Sequence, residues 1–453
     1  MHESDFDLHI EGISKIEGHA GLDIQVRRGQ VTDVRLAITE YKRFYDQAMR
    51  GKMYHSIPNM VSHICGTCSI AHQVAAIEAI EHAVGAQPSE QTLLLRKLSL
   101  WGLNLRDHAM HLYLFCLPDL LGVDSVLDLG PEYKELMKTA FDVKKAGNHL
   151  CTETIGAAVH PTRAQVGRYS QVPDAAKTKE LVHELLEMRP HVIELIDRFS
   201  DCHFKFDTPT RYVAVRSPDF CYLGDTIWDS EERQIPQAEY FDHLKRVIIP
   251  YSQATGFHYQ GSPYMVGALA RMNLHRDTLH PDTRRDAAAA LKRFPSHNRY
   301  DSNVAQAIEM LNAIDHATDA FESHEFKKEE TPLPPAREGR GVGVIEAPRG
   351  TLYYMVDVMA DGKVREGIPV IPTAQNQVHM EIDIGELVQN SLDLPKEQIE
   401  HEIEKLVRAY DPCTSCAAHF LKVKWDVKGA AAKKKKTGGR KKVASKKKKA
   451  RKN

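Results

Sequence analysis

The chain has 453 residues, 60 Lys plus Arg against 61 Asp plus Glu and a formal net charge of -1, but this near-neutral total hides two oppositely charged parts. Residues 420–453 carry 16 Lys and Arg against the single acid Asp426, a charge of +15, which leaves residues 1–419 at -16. An acidic body does not track a phosphate backbone, so nucleic-acid contact is restricted to the tail. No run reaches the ~18 apolar residues that span a bilayer, and the N-terminal MHESDFDLHI lacks the regions of a signal peptide, so a cytoplasmic location is expected.

In chain order, Ala20, Leu22, Ile24 and Val26 alternate with polar residues, Gly29 marks a turn, and Val34, Leu36 and Ile38 alternate again, which predicts a β-hairpin. Helical composition or periodicity follows over 73–84, 92–121, 134–150, 178–206, 238–251 and 283–321. Residues 325–340 are charged and Pro-rich and read as a surface connection. A second hairpin runs from Leu352 to Val358, turns at Asp361-Gly362 and returns from Val364 towards Ile371. Ile399, Ile403, Leu406, Val407 and Tyr410 then share one face of a helix that begins near Pro395 and stops at Asp411-Pro412. The expected class is α+β, mainly α: a large helical bundle with small flanking sheets over residues 1–419. Residues 420–453 form a Lys-rich, low-complexity extension that is expected to be disordered.

Two Cys-x-x-Cys pairs stand out, Cys65 with Cys68 and Cys413 with Cys416, each followed by a histidine, His72 and His419. The pairs lie 345 residues apart, whereas a local zinc ribbon spaces its pairs by roughly 15 to 20 residues. Neither pair has the βαβ setting of a thioredoxin-like motif. On spacing, a shared four-thiolate metal site leads, with structural zinc and redox pairs as alternatives. Four thiolates select soft metals such as zinc, iron or nickel over magnesium or calcium. The apolar pattern after Cys68 places those thiols at a helix N-terminus, which favours the thiolate form. Cys116, Cys151, Cys202 and Cys221 have no partner spacing and read as small buried hydrophobes.

Six segments occur in the order seen in the large subunit of nickel-iron hydrogenases. They are Ser14-Lys15-Ile16-Glu17-Gly18-His19, Ile64-Cys65-Gly66-Thr67-Cys68, Asp107-His108-Ala109-Met110-His111 through Leu117-Pro118-Asp119, Glu346-Ala347-Pro348-Arg349-Gly350, Pro372-Thr373-Ala374-Gln375-Asn376, and Asp411-Pro412-Cys413-Thr414-Ser415-Cys416-Ala417-Ala418-His419. The resemblance covers about residues 8–419 and is nearest the cytosolic, cofactor-coupled group 3 type.

The resemblance implies that the four thiolates bind nickel, with Cys68 and Cys416 also bridging to an iron that carries carbon monoxide and cyanide. It implies heterolytic cleavage or formation of dihydrogen, with Glu17 as proton relay and Arg349 above the metals. By the same likeness, Asp119 and Asp411 hold that arginine, and Thr373 with the Pro348 backbone hydrogen-bonds the cyanides. A magnesium is implied near His419, with the Pro369 carbonyl and, in place of the family's glutamate, the shorter Asp46. The chain lacks further cysteines for iron-sulfur clusters, so an iron-sulfur small subunit, further electron-acceptor subunits and a maturation protease are implied partners. That protease would cut after His419; a retained tail would instead be a basic arm for nucleic acid. His63 departs from the family's usual arginine two residues before the first cysteine, and the Lys-rich tail is unusually long and basic. Two other readings compete: a zinc-stabilised interaction protein with a basic tail, and a relative of the quinone-site subunit of respiratory complex I, which has lost the thiolates present here.

Overall fold

The structure, a computed structural model, describes residues 5–40 and 44–418. At its N-terminus Phe6–Ile10, Ala20–Arg27 and Gln30–Ile38 form an antiparallel sheet in that order. Arg28 and Gly29 close the predicted hairpin with φ of 54° and 69°, so both central residues are left-handed, as a tight two-residue turn between twisted strands requires. The strand Phe6–Ile10 adds a third member that its short polar sequence did not announce.

The middle of the chain is a bundle. Ser89 caps the helix Glu90–Met110 by accepting the Thr92 N–H, and the chain continues through a π-helical segment, His111–Cys116, into Leu117–Leu121. Lys134–Ile155 and Asp301–Ser323 pack with it, Ala175–Ser200 packs on those two, and Asp174 caps Ala175–Ser200. Two expected helices differ. Residues 238–251 form a short 3-10 segment, Gln237–His243, and a strand, Leu244–Val247, that pairs with Gly256–Tyr259. Pro236 and Pro250 bracket this stretch, and cross-strand pairing prevails over helical composition. The span expected over 283–321 is two short helices, then an irregular stretch around Pro295, then Asp301–Ser323. The helix expected over 178–206 stops at Ser200.

A second antiparallel sheet holds Gly339–Ala347, Gly350–Val358 and Val364–Val370, and its middle strand is buried along its whole length. The helix Ser69–Val84 lies against its first strand. Gly339, Gly341 and Gly343 face the carbonyl oxygens of Ala83, Ala79 and Ala75, and any Cβ at these glycines would collide with that backbone. Glycine at every second strand position and alanine at every fourth helix position therefore bring two backbones into contact. This contact fixes the helix that starts at Cys68 relative to the strand that leads to Arg349. The helix Pro372–Gln389, which the periodicity missed, and Lys396–Ala409 complete the frame. The α+β, mainly helical class expected from the sequence is the one observed.

Candidate metal centre

The two Cys-x-x-Cys pairs meet. Cys68 ends the loop before Ser69–Val84, and Cys413 precedes the one-turn helix Thr414–Ala417 that carries Cys416, just after the C-terminal helix. Sγ to Sγ distances are 3.5 Å for Cys65–Cys413, 2.9 Å for Cys68–Cys416 and 2.9 Å for Cys413–Cys416. All four sulfurs lie within 4.8 Å of one another, and all four residues are buried. Among the described residues no other group of three or more Cys, His, Asp or Glu side chains gathers in this way.

Electrostatics show what such a cluster lacks. Burial pushes the Cys413 and Cys416 thiols well up, while hydrogen bonding from Cys413, then Cys416 and Cys68, holds Cys65 down. Four buried sulfurs this close disfavour one another's charge, and a bound cation would let all four become thiolates. The donor set thus fits a soft metal ion by number, element and spacing.

The N-terminal loop closes over the sulfurs. Glu17 O accepts the Thr414 N–H at 2.9 Å, and Glu17 Oε2 lies 2.9 Å from Cys413 Sγ while Oε1 lies 3.7 Å from Cys65 Sγ. Burial raises the Glu17 pKa above its ordinary value, and the charge of Cys65 adds to the shift. Thr67 Oγ1 stands 3.1 Å from Cys65 Sγ.

On the other side is a small cavity of about 10 Å³, lined by Cys68, Cys416, Pro348, Arg349 and Thr373 among others. Arg349 Nη1 pairs with Asp107 Oδ2 at 2.5 Å and Nη2 with Asp411 Oδ1 at 3.1 Å, all three residues being buried. Burial opposes the guanidinium charge, but these two acids and the neighbouring sulfurs keep its pKa well above normal. Asp411 is left-handed (φ 49°) and also accepts from Gln306 Nε2 at 2.9 Å. Beneath, the fully buried Arg271 donates to the carbonyls of Ala347 and Pro348 and pairs with Glu309 and Glu346, which fixes the turn that presents Arg349. Thr373 Oγ1 accepts the Cys413 N–H at 2.9 Å.

Glu17, Arg349, Asp411, Pro348 and Thr373 are thus brought to the four sulfurs. Asp119 is not: it pairs with Arg408 at 2.7 and 2.8 Å and with Lys15 at 2.8 Å. The acid that holds Arg349 beside Asp411 is Asp107, twelve residues earlier, and the expectation for Asp119 is corrected accordingly. Asp119 follows the π-helical segment, which turns its side chain towards Lys15 and the C-terminal helix instead. Asp107 lies in one of the family-like segments, and it is the one acid of the helix Glu90–Met110 after its first residue. Asp46 is buried, but it does not join the sulfurs, and its Oδ2 accepts from Gln47 Nε2 at 2.9 Å. His419 lies outside the described residues. Cys116, Cys151 and Cys221 are buried as expected, and Cys202 is half-buried.

Residues 43–156 and 241–419 match the family described as nickel-dependent hydrogenase. The chain belongs to this family. It is the catalytic large subunit of a nickel-iron hydrogenase, an oxidoreductase, and this sets aside the zinc-stabilised module and the quinone-site relative. Sulfhydrogenase 1 subunit alpha of Pyrococcus furiosus is 31% identical over 92% of this chain and 98% of its own. NAD-reducing hydrogenase HoxS subunit beta of Cupriavidus necator is 26% identical over 91% and 95% respectively. A crystal structure of an NAD+-reducing nickel-iron hydrogenase superimposes with a TM-score of 0.78 at 26% identity, covering 91% of this chain and 99% of that one. The relatives are subunits of multi-subunit hydrogenases, which implies small-subunit partners. Among the described residues no helix is long and apolar enough to cross a membrane.

Proposed function

We propose that Cys65, Cys68, Cys413 and Cys416 hold nickel, and that an iron with carbon monoxide and cyanide ligands shares Cys68 and Cys416 with it. The observation that carries this reading is the set of four buried sulfurs within 4.8 Å, drawn from the two ends of a chain in a nickel-dependent family. The cavity beside Cys68 and Cys416 supports the iron. Thr373 Oγ1 already accepts from Cys413 N, so its proton is available to the cavity, and Arg349 Nε has no hydrogen-bond partner among the described residues. Both are donors suited to small acceptor ligands.

A thiolate-bound centre of this kind supplies electron-rich metal on which dihydrogen is split heterolytically. Glu17 Oε2, 2.9 Å from Cys413 Sγ, is the base that takes and returns the proton, and its raised pKa suits a group that must do both. Arg349 holds fixed positive charge over the site because Asp107 and Asp411 clamp its two terminal nitrogens. Arg271 fixes the Pro348 carbonyl and with it the turn. Asp119 braces Lys15, two residues from Glu17, against Arg408, three residues before Asp411.

Electrons leave through an iron-sulfur small subunit to further acceptor subunits, because no second ligand cluster exists among the described residues. A magnesium site would use His419 with the Pro369 carbonyl and Asp46, whose buried Oδ1 is without a partner among the described residues. The family match ends at residue 419, which supports a hydrogenase domain over 1–419 and an extension over 420–453 that a maturation protease removes in the cytoplasm. Metal analysis of the purified complex tests the reading: about one nickel per chain is expected, and zinc alone would overturn it. An intact mass that retains residues 420–453 in active protein would overturn the cleavage and leave a basic arm.

A further inference from the structure

A charge taken out of water has to be paired, and the buried arginines of this chain obey that rule with one exception. Among the described residues six arginines are buried, none more than 6% exposed. Five of them, Arg96, Arg271, Arg299, Arg349 and Arg408, are held by carboxylates. The sixth, Arg106, has no ion pair among the described residues. Its Nη2 donates to the Thr67 carbonyl and, at 3.4 Å, to the Gly66 carbonyl, the two residues between Cys65 and Cys68. Its buried Nε has no hydrogen-bond partner among the described residues.

Packing fixes Arg106 in that place. It lies in the helix Glu90–Met110, and a Cβ at Gly147, in the helix Lys134–Ile155, would come within 2.6 Å of the Arg106 backbone nitrogen. The other titratable groups around it do not supply the missing negative charge. Asp107 gives its Oδ2 to Arg349. Burial pushes the Cys151 thiol up to about 12, so it is neutral near pH 7. Lys144 is a second cation, whose pKa is lowered by burial and then by the charge of Arg106. Backbone carbonyls solvate a guanidinium through their dipoles but carry no net charge. Four thiolates do carry it, and they outweigh one divalent ion, so a filled centre is anionic.

We propose that Arg106 is a positioning residue of the first cysteine pair, which holds the loop carbonyls of Gly66 and Thr67 and has the thiolate centre as its counter-charge. The inference rests on the four cysteines as nickel ligands. A fixed cation beside an electron-rich centre favours its reduced form, because net charge around the ligands sets the potential.

Arg106→Lys keeps the charge, whereas Arg106→Gln keeps an N–H donor without it. In the purified complex, the redox titration followed by the nickel EPR signal is expected to move to lower potential in Arg106→Gln. The expected change in the oxidised-to-reduced ratio is about ten-fold, ~59 mV for one electron. Arg106→Lys is expected to stay near the parent's potential. Nickel lost from Arg106→Gln but kept in Arg106→Lys also supports the pairing, since charge is what lysine restores. Equal shifts in both variants, nickel lost from both, or a parental potential in Arg106→Gln with nickel bound overturns this proposal alone. Release of the small subunit from Arg106→Gln at a parental potential overturns it too, by placing the counter-charge on the partner. Nickel missing from the parent would overturn the ligand assignment and this proposal with it.

Discussion

The helix Ser69–Val84 on the strand Gly339–Ala347 and the segment 157–240 obey different packing rules. In the first, glycine and alanine bring backbone against backbone, with no room for a Cβ at Gly339, Gly341 or Gly343. In the second, the helix Ala175–Ser200 leaves Leu186 44% exposed, and the strands Val213–Arg216, Thr226–Asp229 and Gln234–Pro236 are short. The family match includes both partners of the first contact and omits 157–240. Chain that sets the distance between Cys68 and Arg349 has little freedom, because interiors are close-packed and a misplaced ligand cannot be recovered elsewhere. Chain away from that contact has more.

The largest expected effect lies at the centre itself. Cys416→Ala should abolish dihydrogen-dependent dye reduction while the chain still accumulates; retained activity with nickel bound would remove Cys416 from the ligand set. Glu17→Gln should lower turnover by roughly 10²–10⁴-fold, because it removes a proton acceptor but little volume. Nickel content is expected to stay constant, and an unchanged rate would point to a different relay.

The frame comes next. Gly341→Ala should cost about 3 kcal/mol or more, since its Cβ meets the Ala79 carbonyl and the Ala83 backbone. Urea unfolding measures this, and a loss under about 0.5 kcal/mol would mean that the helix can slide on the strand.

At the seam between the two regions, Gln237 Nε2 donates to Glu78 Oε1 at 3.3 Å, and burial raises the Glu78 pKa to about 8. An unfolded carboxyl titrates near 4.5, so Glu78 binds its proton more tightly in the folded state. Its contribution to stability is therefore greatest below about pH 4.5 and is lost as the pH rises towards 8. Glu78→Gln should gain stability relative to the parent across that window, and a pH-independent difference would argue against the buried charge. The smallest effect is expected in the covering segment: Leu186→Ala should change stability by no more than about 0.5 kcal/mol, and a larger loss would show that 157–240 is packed as tightly as the frame.

Local pattern was legible where few long-range contacts decide. The hairpin closed by Arg28-Gly29 and the C-terminal helix followed from alternation and turn chemistry, and the two Cys-x-x-Cys spacings marked the sulfurs that the fold then gathers. The helix Pro372–Gln389 was hidden because it is buried on nearly every side and shows little periodicity, and 238–251 failed because pairing with Gly256–Tyr259 prevailed over composition.

The sequence by itself determined the family, the class of fold, the sulfur donors and the split between an acidic body and a basic tail. Each of these rests on residue identity and order alone. Only the tertiary structure decided that Asp107 rather than Asp119 clamps Arg349, and that Tyr354 reaches His72 across 282 residues. The physical reason is that a buried charge or proton is stabilised by whichever partner the packing delivers within about 3 Å. Neighbours along the chain do not record that distance.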